Sequence, residues 1–493
     1  MTLTHTFLNT CRKYAQKTAV IDQNGAFCYE DLRQEALKCA EQVSSAGSGK
    51  NIGILLLNGK EFLTAFYGIL IAGKTPVPLN FLLSPAQLLY VIRDAEIETI
   101  FTCNLFAPQL RSQIKHIFLA EEKYPDTRFN EASISYGEEE EQAAMLYTSG
   151  TNANPKGVIL THNNFLSNLE GCMHAFHFTE KDTLLGILPL FHTYALTTTL
   201  ILPVCVGATM IYLTRFSGAK VLEMIEQYKV TSLFAIPSMY RVLLRTAEST
   251  RHNLRTLRLC TSGGEPLPGD VLEAFSKVFP VPLTEGYGLT EATAIVSVNL
   301  PEKCKLGSIG PPLDNIKVKI VNDNGDEQPV GRDGEIWVKG PNVMKGYHKL
   351  PKETAETITS DRWLKTGDYG KLDKEGFLWI TGRKKELIII SGENVSPTEI
   401  EHVISRHEKV FEVAVIGVPD KVRGEVPKAF IALREDTTCS ADEIRDYCLS
   451  RLPHYKVPKY FVFHKELPHG PTGKILKRAL KEENFSGPPN QNV

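Results

Sequence analysis

The chain has no C-x-x-C pair among its ten cysteines, no marked excess of charge of either sign and no apolar run in its first sixteen residues. Each absence closes a class of function. Cys11, Cys28, Cys39, Cys103, Cys172, Cys205, Cys260, Cys304, Cys439 and Cys448 are scattered over 493 residues. That pattern has neither zinc-ribbon spacing nor the density of a disulfide-stapled domain, so reduced thiols and a cytoplasmic location are expected. A formal net charge of −2 leaves no whole-chain electrostatic footprint for nucleic acid. The opening MTLTHTFLNTCRKYAQ lacks a hydrophobic h-region, which argues against a secretory signal.

Aspartate, glutamate, lysine and arginine are all missing from Thr183 to Thr214, TLLGILPLFHTYALTTTLILPVCVGATMIYLT. The stretch is long enough to span a bilayer. Pro189, His192, Pro203, Gly207 and interior threonines interrupt it, however, and a break at each proline leaves pieces of core length. A buried core is expected here, with no integral membrane segment.

What is present is the composition of an ordinary globular protein, 42% apolar and 23% charged. The length favours about three folding units. NIGILLLNG, EFLTAFYGILIAGKTPVPLN, AQLLYVIRDA and ETIFTC alternate strand and helix patterns, and AKVLEMIEQYKV followed by TSLFAIP repeats the theme, which predicts a parallel, layered α/β core. After Leu306 the texture changes to IKVKIVNDNGDEQPVGRDGEIWVKG, whose NG and DG turns predict a small β subdomain. Charged GRKK at 382–385 marks an expected boundary. Beyond it PTEIEHVISRH and SADEIRDYCLSRLP read as helices and VFEVAVIGVP and KAFIALR as strands, with Ser440 and Glu443 forming a capping box. EEEE at 138–141 reads as a solvated linker, and the stretch GEEEEQAAMLY as helix-like.

Tyr147 to Gly157 reads YTSGTNANPKG. Small residues let backbone N–H groups face one concavity, hydroxyls add donors, and Lys156 adds positive charge, which together suit phosphate oxygens. The loop is not a Walker A motif, because Pro155 stands at the second glycine and Gly157 follows the lysine. An ordinary surface turn has the same composition, so the loop by itself leaves both readings open.

In sequence order the chain carries YTSGTNANPKG, LPLFHTYAL, TSGGEPLP, EGYGLTEAT, WLKTGDYG, GRKKELIIISGENVSPTEIE and PTGKILKR. That succession resembles the adenylate-forming (AMP-binding) superfamily, in particular its acyl-CoA synthetases and fatty acid–CoA ligases, from about Val20 to Lys477. The resemblance implies an α/β fold: a large N-terminal domain of layered α/β subdomains plus a small β subdomain, residues 1–382, and a small mobile α/β C-terminal domain, residues 383–493. It implies ATP-dependent activation of a carboxylic acid to an acyl-adenylate with release of pyrophosphate, then transfer of the acyl group to a thiol.

The resemblance also implies roles. Thr148, Ser149, Gly150, Thr151 and Lys156 would hold the β- and γ-phosphates. Gly264, Glu265 and Pro266 would form one wall of the adenine site, and Glu285, Gly286, Tyr287 and Gly288 another, with Tyr287 stacked on the base. Thr290 would touch the α-phosphate, and Glu291, with Thr148, would ligate Mg²⁺, a hard cation that prefers such oxygens. Asp368 would accept the ribose hydroxyls, with Arg383 beside it, and Lys474 would bridge the attacking carboxylate and the phosphate. Lys385 would be the hinge of the mobile domain, and Ser391 and Gly392 would approach the pantetheine of coenzyme A.

His192 takes the place where amino-acid-activating relatives commonly carry an aspartate. A cationic amine would lose its partner there, so a plain acid is expected, a medium- or long-chain fatty acid, with His192 near its carboxylate. The thiol is that of coenzyme A or the phosphopantetheine of an acyl carrier protein, and a catalytically silent nucleotide-binding homologue is a third reading. A monomer or homodimer is expected. Asn152 and Ala153 depart from the family's threonine and glycine, and Ala153 lacks glycine's freedom at positive φ.

Overall fold

The computed structural model describes residues 1–47, 49–122, 129–148, 154–391, 393–469 and 475–485. Ser149, Gly150, Thr151, Asn152, Ala153, Gly392 and Lys474 therefore lie outside the described residues. The chain forms two compact units, Met1–Val318 with Trp337–Lys365, and Lys319–Ile336 with Thr366–Val493. The sequence position 382–385 falls inside the second.

In the first unit, short apolar runs between turn residues become strands buried on both faces, which is why they read as continuous rather than alternating hydrophobic stretches. The largest sheet has the order Ser297–Val298, Leu283–Tyr287, Leu259–Ser262, Ser232–Ala235, Thr183–Gly186, Thr209–Tyr212, Thr18–Asp22, Gly25–Cys28. Its inner strands are parallel and the two outer ones antiparallel. A smaller parallel sheet orders Thr75–Pro78, Asn51–Leu55, Thr99–Thr102 and His116–Leu119. A third, antiparallel, joins Gly346–Tyr347, Lys156–Thr161 and Gln142–Thr148. Helices pack over the sheets, and Leu185, Val221, Leu233, Tyr240 and Phe275 belong to the buried cluster beside the large one.

Thr183 to Thr214 folds as strand, turn, a helical run that includes a π segment at Leu196–Ile201, and strand. Two of its buried threonines are accommodated by the helix backbone: the Thr198 and Thr199 hydroxyls donate to the carbonyls of Tyr194 and Ala195, at 2.7 and 2.8 Å. No helix among the described residues is long and apolar enough to cross a membrane.

The starts of three neighbouring strands are tied by one carboxylate. Asp182 accepts from Arg258 Nε (2.7 Å) and Nη2 (3.0 Å), from Thr231 Oγ1 (2.7 Å) and from the Thr179 N–H (2.9 Å). Burial pushes this carboxyl up, but Arg258, the Thr179 N–H and Thr231 outweigh it and hold it below the usual aspartate value.

Two readings of the sequence need correction. The stretch GEEEEQAAMLY is not helical: Glu138–Glu141 form an exposed turn and Gln142–Thr148 is a strand. Ala143, Ala144, Met145 and Leu146 are all buried within a sheet, and that packing overrides the helix propensity of Ala and Met. The capping box at Ser440 is half made. Ser440 Oγ accepts from the Glu443 N–H at 3.1 Å, but the Glu443 carboxylate pairs with Lys409 Nζ at 2.8 Å.

The second unit holds a sheet ordered Lys317–Val321, Gly334–Lys339, Leu364–Leu372, Leu378–Arg383, whose first three strands contain the points where the chain passes between units. Its other sheet orders Glu393–Val395, Ile388–Ile390, Gly424–Leu433, Val410–Asp420, with Tyr460–His464 also paired to Gly424–Leu433. One face of that sheet packs Ile388, Val415 and Ile431 with the helices Pro397–Ile404 and Ala441–Leu449. The other packs Ile416, Phe430 and Leu480.

Candidate active site

In open α/β sheets, ligands bind beyond the carboxyl ends of the strands. Several sequence-predicted residues of the first unit follow that rule. Glycines 263 and 264 leave Leu259–Ser262, Tyr287 to Glu291 close and follow Leu283–Tyr287, and His192 lies in the segment after Thr183–Gly186.

The turn 188–190 that delivers His192 is clamped by a buried side chain. Asn58 Nδ2 donates to the Leu188 carbonyl (2.9 Å), and Asn58 Oδ1 accepts from the Leu190 N–H (3.0 Å). His192 then rests against Phe191, centroids 4.5 Å apart, and Phe191 meets Phe81 edge to face. The next residue, Thr193, donates to Thr290 Oγ1 at 3.0 Å, so the histidine turn and the TEA turn touch directly.

Gly264 takes a φ of +82°, which its residue type permits, and turns the chain toward Glu265 and Pro266. The turn is tied to the neighbouring strand: the Leu267 N–H donates to Glu285 Oε1 at 2.9 Å. Burial pushes the Glu285 carboxyl up to about 7, and the Leu267 N–H offsets only part of that. Tyr287 is 9% exposed. Gly288 has a structural reason to be glycine, because a Cβ there would lie 1.4 Å from the Ala294 carbonyl oxygen.

That close approach follows from a tight turn after Glu291, in which Thr293 and Ala294 have φ of +53° and +79°. Non-glycine residues persist in this region only where the surroundings over-determine them. Here Thr293 Oγ1 donates to the Asn342 carbonyl (2.7 Å), Asn342 Nδ2 donates to the Ala292 carbonyl (2.9 Å), and Asn168 Nδ2 donates to the Ile295 carbonyl (2.6 Å).

Thr148 and Lys156 are register partners at the mouth of a hairpin, with residues 149–155 between them in sequence. Lys156 Nζ lies 5.1 Å from the ring centroid of Tyr347, whose hydroxyl donates to Glu291 Oε1 at 2.8 Å. The lysine and the carboxylate named from sequence are thus joined through a tyrosine that was not. Burial first, and then the Glu291 charge, push the Tyr347 phenol well above its usual value, so it stays a donor. Tyr347 sits in MKGYHKLP, a short tyrosine-bearing turn; only its pairing with Val158 brings it here. Thr193 was missed too, although it directly follows His192. Glu291, Thr290 and Thr148 offer one carboxylate and two hydroxyls, hard oxygens of the kind magnesium takes.

In the second unit Asp368 lies on Leu364–Leu372 opposite Arg383, and Arg383 Nε reaches Asp368 Oδ1 at 2.9 Å. Lys384 Nζ pairs with Glu335 (3.0 Å) and Asp323 (3.4 Å). Lys385 is in the single turn Lys384–Glu386. Ser391 has φ +51°, a conformation that favours glycine, and its N–H donates to the Arg423 carbonyl at 2.8 Å.

His407, Cys439 and Glu443 also converge in this unit. The Lys409 N–H donates to His407 Nδ1 (3.4 Å), which puts the imidazole proton on Nε2, facing Glu443 at 3.5 Å. A metal needs a lone pair at that nitrogen, and burial pushes the Cys439 thiol up to about 11. The cluster reads as a polar knot between strand and helix.

The family model described as AMP-binding enzyme matches residues 7–348, and that of the AMP-binding enzyme C-terminal domain matches residues 399–474. A long-chain-fatty-acid–CoA ligase of Bacillus subtilis (strain 168) is 34% identical, over 98% of this chain and 94% of its own. A sulfoacetate–CoA ligase of Cupriavidus necator is 32% identical over 93% of each. Among solved structures, the O-succinylbenzoate coenzyme A synthetase of Bacillus subtilis in complex with ATP and magnesium ion is 33% identical, with a TM-score of 0.88 over 97% of this chain and 99% of that one.

Proposed function

The chain belongs to the AMP-binding enzyme family, the adenylate-forming superfamily, and from that premise we propose that it activates a medium- or long-chain fatty acid and passes the acyl group to coenzyme A. It is an AMP-forming acid–thiol ligase that works with ATP, Mg²⁺ and coenzyme A. The observation that carries the reading is the joining of Lys156, Tyr347 and Glu291, which sets a phosphate-binding cation beside a metal-binding carboxylate.

In the first half-reaction a carboxylate oxygen attacks the α-phosphorus, the bond to the β-phosphate breaks, and pyrophosphate leaves. Lys156 and Thr148, with Ser149, Gly150 and Thr151, bind the β- and γ-phosphates, and Thr290 donates to the α-phosphate. Glu291, with Thr148, would hold magnesium, which when bound would supply charge withdrawal at the phosphate oxygens. Gly264, Glu265, Pro266 and the 285–288 segment hold adenine, Asp368 and Arg383 hold the ribose, and His192 orients the acid. Lys474 steadies the charge that builds as the new P–O bond forms. In the second half-reaction the thiol sulfur bonds to the acyl carbon and AMP departs. Residues 383–493 turn about Lys385 to present Ser391 and Gly392 to pantetheine, which keeps the adenylate from water.

Support for a fatty acid comes from the apolar rings of Phe191 and Phe81 beside His192, and from His192 itself, which takes the place where amino-acid-activating relatives commonly carry an aspartate. ATP–pyrophosphate exchange over acids from acetate to palmitate, with sulfoacetate and succinylbenzoate included, followed by transfer to coenzyme A, tests it. Exchange strongest with the longer fatty acids is expected. Exchange with none of the acids sinks the ligase reading, and exchange with succinylbenzoate or sulfoacetate alone sinks the fatty acid. Transfer only to a carrier protein replaces the acceptor. Lys474→Ala is expected to lose adenylation while still passing the acyl group from a preformed adenylate to the thiol; equal loss of both contradicts the two-stage assignment.

A further inference from the structure

We propose that Tyr347 is a positioning residue, which locks Glu291 and Lys156 into a single arrangement for the metal-bearing phosphate end of the nucleotide. The proposal rests on the roles given to those two residues above.

Three observations converge on the segment 342–347. First, it grips the Glu291 turn at several points. The Met344 N–H donates to the Glu291 carbonyl at 2.9 Å, Tyr347 reaches the carboxylate of the same residue, and Asn342 holds Ala292 and Thr293 on either side of the bend. Backbone and side chain of residue 291 are therefore fixed from one piece of chain.

Second, that piece is itself anchored to the strand that begins with Lys156. Tyr347 and Gly346 pair with Val158 and Ile159, the His348 N–H donates to the Gly157 carbonyl at 2.7 Å, and the Lys345 N–H donates to the Ile159 carbonyl at 3.0 Å. The Tyr347 N–H goes to Thr354 Oγ1 at 2.9 Å, so the short strand is held on its other side as well.

Third, the one side chain meets both functional groups in different ways. The hydroxyl donates to a carboxylate oxygen, and the ring lies by the lysine ammonium. Losing a side chain that orients a metal ligand through its outer hydrogen bonds typically costs about 10- to 100-fold in metal affinity. A ring beside an ammonium adds a smaller attraction and restricts where the ammonium points. The two contacts are separable by mutation, because phenylalanine keeps the ring and loses only the hydroxyl.

The test is calorimetric titration of the full-length protein with ATP, with and without Mg²⁺, for wild type, Tyr347→Phe, Tyr347→Ala and Glu291→Gln, each checked for an unchanged unfolding midpoint. For Tyr347→Phe, about a tenfold drop is expected in the affinity that magnesium adds, with metal-free ATP binding within about twofold of wild type. Tyr347→Ala is expected to weaken metal-free binding a further two- to fivefold or so as well, through Lys156. In the double variant Tyr347→Phe/Glu291→Gln the two losses should not add, as expected of residues in contact. An equal loss with and without magnesium in Tyr347→Phe, or no loss where Glu291→Gln shows one, overturns the proposal. If Glu291→Gln itself leaves the magnesium effect intact, the reading of Glu291 falls first and the proposal with it.

Discussion

Glu285→Gln should make the protein more stable at pH 8 and change little at pH 5. The carboxyl is raised from an ordinary 4.5 to about 7 because burial disfavours its charge. A carboxyl whose folded pKa lies above its unfolded one binds its proton more tightly in the fold, so stability is lost as pH climbs from the unfolded value through the folded one. The ceiling on that loss at pH 8 is about 3 kcal/mol, and solvent reaching a partly exposed group lowers it to about 2. Glutamine carries no charge to desolvate, and its amide oxygen can still accept from the Leu267 N–H. At about 2 cal/mol/K per residue for a unit of roughly 350 residues, 2 kcal/mol is a rise of about 3 °C in unfolding midpoint. Thermal unfolding of wild type and variant at both pH values measures it. A rise equal at both, or a fall at pH 8, refutes the reasoning. A carboxylate kept at such a cost beside the turn proposed to hold adenine is what a binding role would require, so ATP affinity should fall in the same variant while stability rises.

Asp182→Asn is expected to lower the unfolding midpoint at pH 7 by about 3–4 °C, from about 2–3 kcal/mol, the loss of one partner of a buried ion pair discounted because the Arg258 side chain is 37% exposed. Each carboxylate oxygen receives two donors, so either orientation of the amide sets its NH₂ against two of them. Because the folded carboxyl lies below its unfolded value, the gap should narrow as pH falls below about 4; a gap that widens on acidification would contradict the assignment. Gly288→Ala forces the Ala294 carbonyl back and displaces the turn that carries Glu291. Pyrophosphate exchange should collapse with a stability loss of about 3 kcal/mol or more, and a variant with wild-type exchange would show that the turn can yield.

The motifs support proposed roles because each chemistry calls for a residue type: hydroxyls and lysine for phosphate, glycines where the chain must bend, a carboxylate for metal. The strands NIGILLL and TSLFAIP and the helix AKVLEMIEQY announced themselves by length and period, and the structure has them at Asn51–Leu55, Ser232–Ala235 and Gly218–Tyr228. What stayed hidden was set by partners far away in sequence. Nothing near Tyr347 signals Glu291, 56 residues earlier. Gly288 looked like part of a nucleotide motif, yet its own reason for being glycine is the Ala294 carbonyl. Ser440 and Glu443 have capping-box spacing, but Lys409 competes for the carboxylate, a contest that no local pattern records. The strand Gln142–Thr148 was obscured by alanines whose burial in a sheet outweighs their intrinsic preference.

The Asn58 clamp bears on how such an enzyme could be rebuilt for another acid. The uncharged stretch from Thr183 to Thr214 invites treatment as a cassette, to be exchanged whole with that of a relative. Its leading turn, however, is spelled out by an amide that follows a strand of the smaller sheet, more than a hundred residues upstream. A transplant that leaves this amide behind, or supplies a donor turn of different length, would arrive with its histidine unaimed. The unit of exchange is the stretch together with its distant asparagine, and the cut points should be chosen by hydrogen bonds rather than by the ends of a hydrophobic run.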